Sequence, residues 1–338
     1  MTKENVKIRE DKEDDDKNID LALRPKTWQE YVGQEKVKRN LKILIEAAKK
    51  RSESCDHLLL YGAAGLGKTT LAHLVAKEME ADIKVTSGPA LEKTGDLASV
   101  LSNLEPGDVL FIDEAHRLNK VVEEILYPAL ESRRLHIIIG KGPGARTLSL
   151  ELTPFTLIAA TTRIGLISNP LRSRFGVIAR LDYYKLNDIE AIIKRSSQIL
   201  RCQIEPEAIK IIAAASRFTP RIANRLLKRS RDYAQVYGQG IISKEISQKT
   251  LSSLEIDNLG LEPHDRRLLQ VLIKKFNGGP VGLSTLAASL NEEKDTLEEV
   301  YEPYLMNLGF LQRTSQGRIA TAAAYDYLKI PKNQKNLF

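Results

Sequence analysis

Gly62-Ala63-Ala64-Gly65-Leu66-Gly67-Lys68-Thr69 decides how this chain folds, because its glycines, lysine and threonine fall at the spacing of a phosphate-binding loop. The flanks agree. His57-Leu58-Leu59-Leu60-Tyr61 reads as a buried strand, and the run from Thr70 to Lys77 opens a helix with apolar residues at helical spacing. Each residue type has a use in such a loop. Glycines let backbone N–H groups turn inward around a triphosphate, and the helix N-terminus adds its partial positive charge. Lys68 reaches the β and γ phosphates, and the Thr69 hydroxyl ligates Mg2+. The plainer alternative is a glycine-rich turn before an ordinary helix, and the next motif argues against it.

In Asp108-Val109-Leu110-Phe111-Ile112-Asp113-Glu114, four apolar residues run into two carboxylates, as a central parallel strand ends beside a phosphate site. Alone, this is any strand entering a polar loop. Downstream of a phosphate-binding loop it reads as a Walker B element, with Asp113 in the magnesium shell and Glu114 polarising the attacking water. The two motifs together predict an α/β nucleoside triphosphatase with a parallel sheet, using ATP and Mg2+.

The 338 residues leave room for two or three domains, and no apolar run approaches the ~18 residues that a membrane span requires. Met1 to Asp20 is charged, with Asp14-Asp15-Asp16 at its centre, so it lacks the apolar stretch of a signal peptide and reads as a disordered acidic tail. A cytoplasmic protein without a membrane partner is the expectation. Cys55 and Cys202 are far apart and without ligand spacing, which argues against both a zinc module and a disulfide framework. The net charge of +7 suits a nucleic-acid partner and also many plain soluble enzymes.

From Leu186 to Ser253 the pattern is helical, with apolar spacing in Ile189–Lys194, Ile209–Ala214 and Asn224–Arg229, which predicts a small helical lid. A third unit follows. His264 begins a helix that ends at Asn277-Gly278-Gly279-Pro280, and further helices are expected at 284–290 and 295–308. Two short strands, Gly309–Arg313 and Arg318–Thr321, then flank a Ser315-Gln316-Gly317 turn. Three helices and a hairpin make a winged helix, a module that binds nucleic acid or docks protein. Arg313 and Arg318 flank the wing tip and suit DNA phosphates, which position a duplex without reading it. The third helix is acidic at Glu292, Glu293, Asp295, Glu298 and Glu299, so Lys294 is its one candidate DNA contact. The expected organisation is a tail at 1–20, a large domain at 21–183, the lid at 184–256 and the winged helix at 257–338.

Further segments carry a family resemblance. Arg24-Pro25 with Tyr31-Val32-Gly33-Gln34 resembles the adenine-side segment of AAA+ ATPases, and Ala159-Ala160-Thr161-Thr162-Arg163 resembles their sensor 1 strand end. Pro170-Leu171-Arg172-Ser173-Arg174-Phe175-Gly176 resembles the arginine-finger segment, and Thr219-Pro220-Arg221-Ile222-Ala223-Asn224-Arg225 the sensor 2 helix. Within that superfamily, Thr86–Lys93, Asn103–Asp108, Val122–Ala129, Pro154–Ile158 and Gly278–Leu283 are similar to the RuvB family of branch-migration motors. The resemblance covers about residues 21 to 330.

It implies nucleotide contacts from Leu23, Arg24, Tyr31, Val32, Gly65, Leu66, Gly67, Lys68, Thr69, Thr70, Glu131, Ser132, Arg133, Arg174, Tyr184 and Arg221. It also implies a catalytic set of Lys68, Asp113, Glu114, Thr162 and Arg174, with metal at Thr69 and Asp113. Arg174, preferred over Arg172 by its place before Phe175-Gly176, would act on a neighbouring subunit's γ-phosphate. DNA contacts fall on Lys294, Arg313 and Arg318. A homohexameric ring on duplex DNA at four-way junctions is implied, with a RuvA-type partner docked on a hairpin at Ile137, Ile138 and Ile139 and a RuvC-type resolvase in a larger complex. From the residues alone, that apolar hairpin either meets a partner or packs inside its own domain. Ala63-Ala64 and Ser132-Arg133-Arg134 depart from the family pattern. A clamp-loader-like ATPase and a nucleotide-controlled assembly scaffold are the rival readings; the terminal winged helix and the lack of a Cys module favour the motor.

Overall fold

The computed structural model describes residues 19–139 and 146–331, with only the backbone of Ile138 and Ile139. Most of the expected tail, residues 1–18, lies outside the described residues; Ile19 and Asp20, which the tail reading included, already belong to a helical turn at 19–23. The chain divides into two compact units, one up to Asp188 and one from Ile189 onward. No described helix is long and apolar enough to cross a membrane.

The first unit is built on a parallel sheet. β1 (Leu58–Tyr61), β2 (Ile83–Ser87), β3 (Val109–Asp113), β6 (Thr156–Thr161) and β7 (Val177–Arg180) pair in the order β2-β3-β6-β1-β7, every neighbour parallel. β1, β3 and β6 hold the middle and are buried on both faces, which is why their sequences run apolar without alternation. Edge strand β2 is the polar one. The phosphate-loop helix, Lys68–Glu78, buries Leu71, Ala72, Leu74, Val75 and Ala76, more than a single apolar stripe. This order brings the carboxyl ends of β1, β3 and β6 side by side, the crevice in which open α/β sheets bind ligands.

Between β3 and β6 the chain makes a helix, Lys120–Glu131, and a hairpin of β4 (Arg134–Ile139) and β5 (Arg146–Glu151). The hairpin packs partly inside its own domain and partly faces outward. Leu135 is fully buried and Ile137 and Leu150 pack on the domain core, whereas Leu148 is 43% exposed. The partner contacts expected of the Ile138 and Ile139 side chains fall outside what the structure describes.

His57, read as part of the first strand, stands just before it and stitches three elements. Its Nδ1 accepts the Leu157 N–H at 2.9 Å, and its Nε2 lies 3.4 Å from the Leu130 carbonyl, the arrangement of a neutral ring. Burial pushes its pKa down, opposed by the Leu130 carbonyl. The folded pKa therefore lies below the unfolded value of about 6.5, so this contribution to stability is complete above that pH and is lost as pH falls through the folded pKa. Melting temperature should drop between pH 7 and pH 5, and less steeply in His57→Gln. His73, also pushed down by burial, acts in the same direction in both proteins and so cancels from the comparison.

In the second unit, helices Leu186–Ile199 (from Ile189 on), Pro206–Ala214, Pro220–Tyr237 and Lys244–Ser253 are joined by a two-residue parallel pairing of β8 (Gln203–Ile204) with β9 (Ile241–Ile242). Helices Pro263–Phe276 and Leu283–Leu290 follow. The expected third helix forms in three pieces: Lys294–Thr296, a π turn at Leu297–Tyr301, and Glu302–Asn307. Pro303 explains the break, since it has no N–H to donate and its ring displaces the carbonyl four residues back. β10 (Leu311–Thr314) and β11 (Gly317–Ala320) make the wing, and a helix at Ala322–Leu328 follows. Gly317, read as a turn residue, is paired with Thr314, so the turn is Ser315-Gln316. It has to be glycine there: φ is +139°, and a Cβ would stand 2.4 Å from the Val281 carbonyl oxygen.

Arg217 ties the helical region to the winged helix. Its Nη2 donates to Asp265 Oδ2 at 2.5 Å and its Nε to the Gly260 carbonyl at 2.8 Å, while its guanidinium lies 5.2 Å from the Tyr304 ring centroid. Both charges are buried, and burial pushes the Asp265 carboxyl up against the pull of Arg217. Arg217→Met is expected to cost about 3–5 kcal/mol, because it strands the Asp265 charge, and Asp265→Asn in the same chain should restore part of that loss. Urea unfolding of the two variants measures it.

Candidate nucleotide site

The phosphate loop leaves β1 at Gly62, whose φ is +148°; a Cβ there would meet the Leu181 carbonyl oxygen at 2.4 Å. Gly65 and Gly67 also have positive φ, and Gly67 N-caps the following helix. Lys68 is buried beneath the loop and its Nζ donates to the carbonyls of Gly62 and Ala63 at 2.8 and 2.9 Å. The contacts are to backbone, so alanine at 63 and 64 leaves them intact.

Beside the loop, Thr69 Oγ1 donates to Asp113 Oδ2 at 3.2 Å, joining the two halves of the site that the sequence separates by more than forty residues. The other Asp113 oxygen accepts the Glu114 N–H at 2.9 Å. Glu114 sits in the left-handed region at φ 48°, which turns its side chain out of the strand, and its Oε2 pairs with Arg117 at 3.2 Å. At the end of β6, Thr162 Oγ1 is buried with no hydrogen-bond partner among the described residues. Its neighbour Thr161 lies 3.0 Å from His116 Nδ1 and accepts the Arg163 N–H at 2.9 Å.

These residues fit a magnesium nucleotide. A hydroxyl and a carboxylate in contact suit a cation that takes one or two protein oxygens and fills its shell with phosphate and water. A buried hydroxyl without a partner carries a desolvation cost that a ligand acceptor or donor removes. His116 and Arg117 were not picked out from the sequence, and Thr161 stood only inside the sensor 1 segment without a role; closeness in sequence to Glu114 and Thr162 was the only signal there.

On the adenine side, Leu23 is buried, Arg24 and Val32 are half-buried, and Tyr31 and Tyr184 both donate their hydroxyls to the Leu66 carbonyl, at 3.4 and 3.2 Å. Burial pushes both phenols up, Tyr184 to about 12, so both stay neutral donors. Gly33 is held by the same cluster, since a Cβ would meet the Tyr184 ring at 2.8 Å. Thr70 is half-buried in the first turn of the loop helix.

Glu131, Ser132 and Arg133 are exposed at the end of the Lys120–Glu131 helix. Glu131 pairs with Arg174 at 3.0 Å, which brings two of the candidates together away from the phosphate loop's own bonds. Arg221 is exposed in the first turn of Pro220–Tyr237, within the second unit. Lys294 is exposed at the start of the third winged-helix segment. The two wing arginines are less free than their sequence suggests: Arg313 Nη2 and Arg318 Nε bond the fully buried Glu302 at 2.6 and 2.7 Å, and Arg318 is only 11% exposed along its side chain. Any phosphate bound there would share its arginines with a carboxylate.

Comparison with known proteins matches three family models along the chain. Residues 23–181 match the Holliday junction DNA helicase RuvB P-loop domain, 184–257 the RuvB AAA lid domain and 258–329 the RuvB C-terminal winged helix domain. Among solved structures, the Thermotoga maritima RuvB Holliday junction branch migration motor is 52% identical, with a TM-score of 0.85 over 92% of this chain and 99% of that one. An arginine-to-alanine variant of the Thermotoga protein is also similar, 52% identical with a TM-score of 0.83 over 91% of this chain and 98% of that one.

Proposed function

Because the chain belongs to the RuvB family of AAA+ P-loop ATPases, motors of Holliday-junction branch migration, we propose that it hydrolyses ATP to move duplex DNA through a four-way junction. The observation that carries this is the convergence of Lys68, the Thr69–Asp113 pair and the unpartnered Thr162 hydroxyl at the carboxyl ends of adjacent strands.

Lys68 and the inward-turned loop backbone hold the β and γ phosphates, Thr69 and Asp113 hold magnesium, and Glu114 takes the proton of the attacking water. Magnesium, when bound, supplies charge that neutralises the phosphates. Thr162 orients the water or the γ-phosphate through its free hydroxyl. Arg174 completes the site of a neighbouring subunit, which makes a ring, read as a homohexamer, the working form. Arg221 reports the phosphate state to the lid.

Lys294, Arg313 and Arg318 meet DNA phosphates, so binding should weaken steeply with salt. A RuvA-type protein docks on the β4–β5 hairpin, and a RuvC-type resolvase joins the larger complex. The test is ATP hydrolysis by the purified protein. Magnesium-dependent turnover that duplex DNA accelerates and Lys68→Ala removes is the expected result; turnover unchanged in Lys68→Ala would overturn the site.

A further inference from the structure

Arg174 lies in the turn just past a four-residue helix, Asn169–Arg172, whose N-cap Ser168 accepts the Leu171 N–H. A long, flexible side chain on so short a support has many rotamers to lose before it acts on a phosphate. In this structure that freedom is already taken away. The guanidinium carbon lies 4.7 Å from the centroid of the Tyr127 ring, Nη1 donates to the Pro170 carbonyl at 2.6 Å, and Nη2 meets Glu131 at 3.0 Å. Nε is buried without a partner among the described residues. Tyr127 is itself anchored: it packs against the domain core, and its hydroxyl lies 3.0 Å from Ser168 Oγ, the residue that caps the short helix leading into Arg174.

The geometry points to Tyr127 as the positioning residue of the arginine finger. Its ring face sets the plane of the Arg174 guanidinium and presents it ready-ordered to the next subunit's nucleotide. Of the restraints, the ring is the strong one. Glu131 is 63% exposed on its side chain, and an exposed ion pair contributes little. The Pro170 carbonyl holds one nitrogen and leaves the plane free to turn. The Arg174–Tyr127 contact is partly desolvated, with the arginine side chain only 20% exposed, and cation–π attraction is worth more where water is excluded. This inference rests on reading Arg174 as the finger.

The test keeps the ring's shape and changes its electrons. Tyr127→Phe removes the hydroxyl and keeps the face, and successive fluorination of that ring withdraws its negative face without altering its packing. ATP turnover should stay near wild type in Tyr127→Phe, fall stepwise with fluorination and reach a loss of about tenfold, with ATP affinity unchanged throughout. In nucleotide-free protein, the Arg174 side-chain proton resonances should be shifted upfield by the ring and return toward ordinary values in Tyr127→Leu. In an Arg174→Ala background the fluorinated series should show no further loss. Flat turnover across the series, or Arg174 resonances indifferent to Tyr127, overturns the inference. The two readings fail separately, since normal turnover in Arg174→Ala alone would remove the finger itself.

Discussion

Arg174→Ala is expected to lower ATP turnover by about 10³–10⁵-fold while leaving ATP affinity nearly unchanged. The reason lies in what its guanidinium touches. Within its own chain it bonds Glu131, Pro170 and the Tyr127 face, so its removal leaves the Lys68 and Thr69–Asp113 contacts in place. A mixing experiment separates action across a subunit boundary from action within one chain. Arg174→Ala subunits keep an intact phosphate loop, and Lys68→Ala subunits keep an intact finger. If the finger works in trans, mixing two inactive proteins restores turnover at the interfaces that pair a good loop with a good finger. Mixtures as inactive as their parents would place Arg174 outside the neighbour's site.

Glu114→Gln should bind ATP as wild type does and lose turnover by about 10²–10⁴-fold, the range for removing a general base. Stability does not confound this substitution. Glu114 lies half-exposed in a pairing with Arg117, an exposed ion pair worth at most about 1 kcal/mol. The left-handed backbone at 114 is the same for glutamine. Equilibrium ATP binding, kcat and melting temperature on one preparation give the comparison, and normal kcat would move the base to another residue.

The phosphate loop and the Asp113-Glu114 strand end were legible because the chemistry restricts residue type at fixed spacing, and because strands buried on both faces run apolar without a break. The winged helix was legible from its breakers, Gly278-Gly279-Pro280 and the turn read at 315–317, though Gly317 proved to be a strand residue. What the sequence could not show depends on contacts between distant residues. Nothing local marks Thr161 as a partner of His116, Tyr127 as the platform under Arg174, or Glu302 as the carboxylate that holds both wing arginines. Two-residue strands such as Gln203–Ile204 are too short for periodicity to register. The π turn at Leu297–Tyr301 needed Pro303 to be weighed inside a helix that the apolar pattern favours.

The central claim is that ATP hydrolysis at this site moves DNA, and a synthetic four-way junction tests it most directly. Purified protein with a RuvA-type junction-binding partner should dissociate the junction only when ATP and magnesium are present, and Lys68→Ala should abolish that activity. Robust ATP hydrolysis with no junction movement at any salt concentration would contradict the motor and favour a loader or a scaffold.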